Sequence, residues 1–195
     1  MPKISAPTVA EHRVLRRGQL IEAAASLALE VGGSAVTMSA IAKRAGLSRT
    51  AVYEYFASST DLLAELILDE LTHWAGTLET VVASEVDAEA KVRAWIRGAL
   101  GYVADGHHQL VKALGAVSLP IERTPEIQAA HRRLVDPLIG ALSQMGISDP
   151  VGTALLVNAT VESATRRIER GLSAADEIAA AESFALAGVR EHASR

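Results

Sequence analysis

The sequence predicts an all-α protein of about nine helices, in which a three-helix N-terminal domain with a helix–turn–helix precedes a larger helical domain. Alanine is the most frequent residue type, whereas the chain has only 6 prolines and 4% aromatic residues, and this composition favours helices over strands. Apolar residues recur at intervals of three and four, and capping residues and glycines separate the periodic segments.

Length and composition narrow the class of protein. A chain of 195 residues with 49% hydrophobic residues forms a substantial core in one large or two small domains. The absence of cysteine excludes disulfides, thiolate nucleophiles and Cys-based zinc sites. The longest uncharged apolar run, residues 151–161, is too short to span a membrane, and the N terminus lacks the apolar region of a signal peptide. We therefore expect a cytoplasmic protein with no membrane partner.

Charge is distributed unevenly along the chain, although the net charge is only −4. Lys and Arg outnumber Asp and Glu up to Ser59, and the reverse holds after it. A basic N-terminal part on an acidic body suggests that only the first part meets a polyanion such as nucleic acid. Chance is the alternative, because the excess of basic residues is modest.

The N-terminal region is predicted to contain a flexible arm, residues 1–12, and a DNA-binding domain, residues 13–59. The first helix begins at Arg13 and ends at Gly32. Its apolar positions are expected to form one buried face through Leu20, Ala24, Leu27 and Val31.

Two short helices then meet at a glycine turn. Thr37 is expected to cap the first of them, Gly46 to supply the left-handed turn residue, and Ser48 to cap a second helix that reaches Phe56. This arrangement predicts a helix–turn–helix, although such a corner also occurs between packed helices without DNA affinity.

The outward face of that last helix suits a nucleic acid. Val52 and Phe56 are four residues apart and are expected to face the core, which leaves Arg49, Thr50 and Tyr53 pointing outward together with Glu54. Hydroxyls and an arginine at an exposed helix start can bind phosphate oxygens or a guanine edge in the major groove.

Residues 17–63 resemble the tetracycline-repressor (TetR) family of transcriptional regulators. The resemblance is carried by Arg17, Leu20, Ile21, Ala23, Ala24, Leu27, Glu30, Gly32, Thr37, Ile41, Ala42, Ala45-Gly46-Leu47-Ser48, Val52-Tyr53, Tyr55-Phe56, Ser58 and Asp61-Leu62-Leu63. It implies an all-helical homodimer whose N-terminal helices bind double-stranded operator DNA and whose C-terminal domain holds a small effector. It also implies that DNA is touched by Ser39, Ser48, Arg49, Thr50, Tyr53 and Tyr55.

The sequence departs from the family pattern at two positions. Ala51 stands where threonine is common, and Ser59 stands where a lysine usually meets phosphate. Losing that lysine removes about one unit of charge neutralisation per subunit. Arg44, Lys43 or the N-terminal arm are candidates to compensate.

Residues 60–195 are predicted to form the effector-binding and dimerisation domain. Ser58 to Thr60 begin a long fourth helix with an apolar stripe, and breaks at residues 84–87, 106, 119–125, 146–150 and 171–173 leave five more helices. Asp149-Pro150 and Gly171 mark the start and end of one of them.

Few side chains of residues 60–195 can line a cavity for an apolar ligand, and the candidates are Trp74, Trp95, Tyr102, His73 and Met145, with His107 and His108. An ordinary core role for the tryptophans is the alternative.

The last two helices are expected to form the dimer interface. Their apolar faces are rich in small residues, which allow close helix packing, and paired helices from two subunits would form a four-helix bundle. The interface candidates are Leu155, Val161, Ile168, Ile178 and Phe184. Capping of the core within one monomer is the alternative, and Arg166, Arg167 and Arg170 are assigned to a solvated rim.

These observations predict a ligand-responsive DNA-binding regulator, a repressor released from a partly palindromic operator by a small organic effector. An effector-independent regulator or activator is the first alternative, and a helical scaffold without DNA affinity is another. A metal-dependent enzyme using His107 and His108 is disfavoured, because adjacent helical residues rarely share an ion and no catalytic motif is present. We therefore expect no metal, no cofactor and no catalytic residues.

Overall fold

A computed structural model describes residues 9–115 and 117–193, and all regular structure in these ranges is helical, as predicted. Within them the chain forms nine α-helices and two short 3-10 turns. In chain order these are α1 (Val9–Val31), a 3-10 turn (Gly33–Ala35), α2 (Met38–Ala45), α3 (Arg49–Tyr53), α4 (Ser59–Ala83), α5 (Ala88–Ala104), α6 (His108–Leu114), a 3-10 turn (Ile121–Arg123), α7 (Thr124–Gln144), α8 (Pro150–Glu169) and α9 (Ala174–Ala193).

The chain divides into two compact units. The first unit consists of residues 1–67 and 110–124, and the second consists of residues 68–109 and 125–195. The predicted DNA-binding domain lies within the first unit, which also contains the start of α4 and a segment from later in the chain. Because α4 is unbroken at residue 67, no local sequence signal marks this division.

The first unit has a core built on α1, α2 and α3, with α2 in contact with the other two helices. Its buried side chains include Leu20, Ala24, Ala28, Ile41, Val52 and Phe56. The later segment packs closely, since a Cβ on Gly33 would lie 2.8 Å from the carbonyl oxygen of Ala113. The predicted face of α1 is only partly correct, because Val31 is 57% exposed and Leu27 is half-buried. The periodicity of apolar residues identifies the buried face of α1, but it does not show where along the helix the burial ends.

Local signals placed the helix ends well. Thr37 and Ser48 cap α2 and α3 as predicted, and Gly46 adopts the left-handed conformation with a φ of 66°. Asp149 caps α8 through the N–H of Gly152, with Pro150 in the first turn. A Cβ at position 152 would meet the Asp149 carboxylate, so a larger residue there would have to displace the capping side chain.

Three helices have lengths that differ from the prediction. α1 includes residues 9–12, which were assigned to the arm, while residues 1–8 lie outside the described residues. α3 ends at Tyr53 rather than Phe56, because the following turn carries the Phe56 side chain into the core. α6 has only 7 residues, since the chain leaves the helix after Leu114.

The second unit is organised around α5, which contacts α8 and α9. Its core includes Trp95, Ile96 and Leu100 of α5 and Leu138 and Leu142 of α7. Ion pairs brace its helices: the nearly buried Glu182 on α9 accepts hydrogen bonds from Arg97 and Arg93 on α5.

Candidate nucleic-acid interface

The corner formed by α2, Gly46 and α3 presents polar side chains to solvent. Val52 on the inner side of α3 is fully buried, which fixes the rotation of this short helix. Five of the six residues expected to touch DNA are exposed, namely Ser39, Ser48, Arg49, Thr50 and Tyr53. Tyr55, the sixth, is half-buried.

The capping hydrogen bond leaves the Ser48 hydroxyl free to act as a donor towards solvent. Its oxygen accepts a hydrogen bond from the backbone N–H of Ala51 at 3.1 Å. The hydroxyl proton remains available as a donor, and phosphate oxygens are pure acceptors. Ser48 therefore holds α3 in place and presents a group that suits a DNA backbone.

Arg49 and Tyr53 form a pair on successive turns of α3. A terminal nitrogen of Arg49 donates to the Tyr53 hydroxyl at 3.1 Å, and the guanidinium carbon lies 5.6 Å from the ring centroid. This contact uses one of the guanidinium N–H donors and orients the plane of the group. The remaining donors of Arg49 are free to meet a phosphate or a guanine edge.

Tyr55 is surrounded by arginines from α1. The guanidinium carbon of Arg13 lies 5.8 Å from its ring centroid, and Arg17 donates to its carbonyl oxygen at 3.4 Å. Arg17 also contacts the ring of Phe56 and pairs with the Glu65 carboxylate. The contacts of Arg17 extend from α1 to α4, and the pattern of the sequence gave no signal for them.

The cations proposed to replace the missing lysine differ in their partners. Arg44 donates to the carboxylate of Glu30 at 2.7 Å and to the Ser26 hydroxyl. The hydrogen bond from Arg44 to Glu30 lowers the pKa of that carboxyl to about 2, so the carboxylate stays charged and offsets the arginine. Lys43, in contrast, is exposed and has no carboxylate partner within the described ranges. Of these two residues, Lys43 is therefore the better candidate for phosphate.

The second unit brings together four of the predicted ligand residues in an aromatic cluster, defined here as Trp74, Tyr102, His107 and His108. Trp74 and Tyr102 stack at a centroid distance of 4.8 Å with their planes 9° apart. His107 lies 4.9 Å from Tyr102, and His108 lies 6.0 Å from Trp74. The two histidines therefore face different partners.

Two carboxylates flank the aromatic cluster. The Tyr102 hydroxyl donates to Glu70, and burial together with that carboxylate raises the pKa of Tyr102. Nδ1 of His108 lies 3.2 Å from a Glu169 oxygen, so His108 has a carboxylate partner on α8. The buried indole N–H of Trp74 has no hydrogen-bond partner among the described residues. An unmatched buried donor is a natural point of contact for a ligand acceptor.

The other predicted ligand residues lie outside this cluster. Trp95 is 2% exposed, and its indole N–H donates to the carbonyl oxygen of Leu134 at 2.8 Å, which ties α5 to α7. This placement is that of a core residue. His73 is exposed on α4, and Met145 is half-buried just after α7.

The apolar surface of α8 and α9 is partly open. Leu155 is 63% and Phe184 is 74% exposed, Ile168 and Ile178 are half-buried, and Val161 is buried in the core. Phe184 borders two grooves between these helices, of about 460 and 270 Å³. Sequence reasoning missed Leu156, which is 62% exposed, because it assigned one wide face to α8 without separating its two sides.

Arg167, expected in a solvated rim, is exposed and also pairs with Glu177 through hydrogen bonds of 2.7 and 2.8 Å. This contact lowers the pKa of Glu177. Across the ranges that the structure describes, His, Asp and Glu side chains form no group of three that could hold a metal ion. Among the same residues, no helix is both long and apolar enough to cross a membrane.

The N-terminal region is similar to known proteins. Residues 20–66 match the family model described as bacterial regulatory proteins of the tetR family. An uncharacterized HTH-type transcriptional regulator of Mycobacterium bovis is 34% identical over 76 residues, which cover 39% of this chain and 39% of that protein. The chain thus spans well under half the length of the curated relatives that it matches.

Solved structures share the fold over most of the chain. The transcriptional regulator FadR of Bacillus subtilis, solved in complex with stearoyl-CoA, is 18% identical with a TM-score of 0.72, and the match covers 88% of this chain and 98% of FadR. AibR, solved with isovaleryl coenzyme A and operator DNA, is 19% identical with a TM-score of 0.69, covering 87% of this chain and 97% of AibR.

Proposed function

We propose that this chain is a ligand-responsive repressor that binds a partly palindromic operator as a homodimer, because residues 20–66 match the family model of bacterial regulatory proteins of the tetR family. The observation that carries the proposal is the exposed corner of α2 and α3, whose Ser48, Arg49 and Tyr53 offer donors around a buried Val52. Donors on a rigid, capped corner suit phosphate oxygens and base edges.

The DNA-binding proposal is tested by selecting duplexes from a randomised library with the full-length protein and measuring gel-shift affinity for those recovered. Tyr53→Phe combined with Arg49→Ala is expected to weaken binding by a few kcal/mol, since each good contact contributes about 1–3 kcal/mol. Arg133→Gln is the matched control, because it removes an exposed charge from the second unit. Equal affinity of the double variant and the control would contradict the proposal.

Dimerisation is proposed to occur through the exposed faces of α8 and α9. Phe184 projects beside two grooves, so in a two-fold symmetric pair the same side chain can fill a groove on the partner. Phe184→Glu is expected to shift the protein towards monomer in sedimentation velocity. Val86→Glu is the control, because Val86 is 95% exposed in the loop between α4 and α5. A dimer unaffected by Phe184→Glu would place the interface elsewhere.

The effector is proposed to be a small organic molecule with an apolar body and a hydrogen-bond acceptor, bound at the aromatic cluster. The stacked rings supply apolar contact, and the unmatched indole N–H of Trp74 supplies a donor. Acyl-CoA thioesters have both features, and FadR and AibR were solved with such compounds. Isovaleryl-CoA and stearoyl-CoA are therefore the first compounds to test.

The effector proposal is tested by thermal shift and by release from selected DNA. Trp74→Phe removes the N–H and keeps a ring, so it is expected to weaken the response, whereas His73→Gln at the exposed neighbouring position leaves it unchanged. If neither thioester nor a wider panel of organic compounds alters DNA binding, the effector-independent regulator or activator becomes the better description.

A further inference from the structure

Arg17 joins three parts of the first unit through one guanidinium group. One of its terminal nitrogens pairs with the Glu65 carboxylate on α4, and the other donates to the carbonyl oxygen of Tyr55 at 3.4 Å. The guanidinium carbon also lies 4.6 Å from the ring centroid of Phe56, whose side chain is 2% exposed. The planar group thus bonds on two sides and stacks on its face.

We propose that Arg17 is a positioning residue that fastens the segment carrying Tyr55 to α4, and that it does not act as a phosphate-binding cation. The proposal rests on the proposed DNA-binding function. Arg17 would hold the DNA-binding surface in place without contacting DNA, a role that the positive charge of this region would not suggest.

Charge supports this assignment. Glu65 is 19% exposed and lies in contact with Arg17, so the pair carries no net charge. An arginine that releases counterions from DNA must bring an unbalanced positive charge to a phosphate. The charge of Arg17 is neutralised by Glu65, whereas Arg49 has no carboxylate partner within the described part of the chain.

The position of Glu65 gives the contact a further consequence. Glu65 lies in α4, three residues before Leu68, where this helix passes from the first unit into the second. Tyr55 lies two residues after the end of α3, and its backbone carbonyl accepts a hydrogen bond from Arg17. Arg17 therefore links the main chain after α3 to the part of α4 that belongs to the first unit.

The first test is the salt dependence of binding to a duplex selected by the wild-type protein. Arg17→Gln is expected to weaken binding about tenfold and to leave the slope of log affinity against log salt unchanged. Arg49→Gln is the comparison variant, and it is expected to lower the slope by about 0.9 per protomer. Far-ultraviolet circular dichroism and thermal unfolding verify that each variant is folded at the assay temperature.

Arg17→Lys separates the two roles in a second way. Lysine preserves the positive charge, but it cannot donate in two directions from a rigid planar fork. We therefore expect Arg17→Lys to bind as weakly as Arg17→Gln. Recovery of wild-type affinity by lysine would show that charge is what matters and would overturn the proposal.

Coupling to Tyr55 provides a readout that a merely stabilising contact would not change. If Arg17 acts by placing Tyr55, Arg17→Gln costs little once Tyr55→Phe has removed the tyrosine hydroxyl, and Glu65→Gln adds nothing to Arg17→Gln. Additive losses, or a fall in salt slope of about 0.9 per protomer for Arg17→Gln, would overturn the inference. Failure of the wild-type protein to select any duplex would overturn the proposed function itself.

Discussion

Lys43 and Arg44 are adjacent in sequence but differ in their partners, and we therefore predict opposite roles for them in DNA binding. Lys43 is exposed without a carboxylate partner in the described ranges, whereas Arg44 is held by Glu30 and Ser26. If Lys43 meets one phosphate in each protomer, Lys43→Gln removes two contacts from a dimer and lowers the salt slope by about 1.8. Over a fourfold rise in salt, the wild-type protein should then lose about 12-fold more affinity than the variant.

The measurement is a gel-shift or fluorescence-anisotropy titration of a selected duplex at several salt concentrations. The matched control is the double variant Arg44→Gln with Glu30→Gln, which removes both members of a neutral pair and so should preserve the slope. A slope unchanged by Lys43→Gln would refute the assignment of Lys43 to phosphate. A slope reduced by the control would refute the argument that pairing with Glu30 removes Arg44 from the interface.

Three other changes have expected outcomes. Ser59→Lys restores a cation at the start of α4 and is expected to steepen the salt slope by about 0.9 per protomer in the same titration. Gly46→Ala places a side chain at a φ of 66° in open space, so urea unfolding should show a loss of about 1–2 kcal/mol from backbone strain alone. Because Arg44 lowers the pKa of Glu30 from 4.5 to about 2, the folded state is favoured above pH 4.5 by this group, and that advantage disappears as the pH falls towards 2. Glu30→Gln should therefore flatten the acid limb of the stability profile in that window, and a profile identical to the wild type would contradict the pairing.

The helix–turn–helix was predictable because its signals are local. The caps Thr37 and Ser48 lie within three residues of the N–H groups that they accept from, and Gly46 alone accounts for the turn. The burial of Val52 followed from its spacing to Phe56. Even the shortened α3 preserved this outcome, since the turn after Tyr53 still delivers Phe56 to the core.

Partners distant in sequence were not predictable. Arg44 pairs with a residue 14 positions away, and Arg17 pairs with one 48 positions away, so neither pairing has a periodic signature. The two tryptophans also differ because of a partner that is distant in sequence. The N–H of Trp95 finds a carbonyl 39 residues away and becomes part of the core, whereas that of Trp74 finds none among the described residues.

The dimer prediction illustrates a third case. The amphipathic pattern of α8 shows that it has an apolar surface, but a helix with apolar residues on two sides does not reveal which side the monomer covers. On α8, Val161 is buried while Leu155 is exposed. Only packing against α5 and α9 decides between these sides.

The locations of Trp74 and Trp95 give the protein an internal optical reporter. Both indoles of the chain belong to the second unit, and the first unit contains none. If DNA binds through the first unit alone, neither indole contacts the duplex directly. A spectral change on adding selected DNA would report altered surroundings of these indoles in the second unit. By reciprocity of binding free energies, a compound that weakens DNA binding must itself bind the DNA complex more weakly by the same factor.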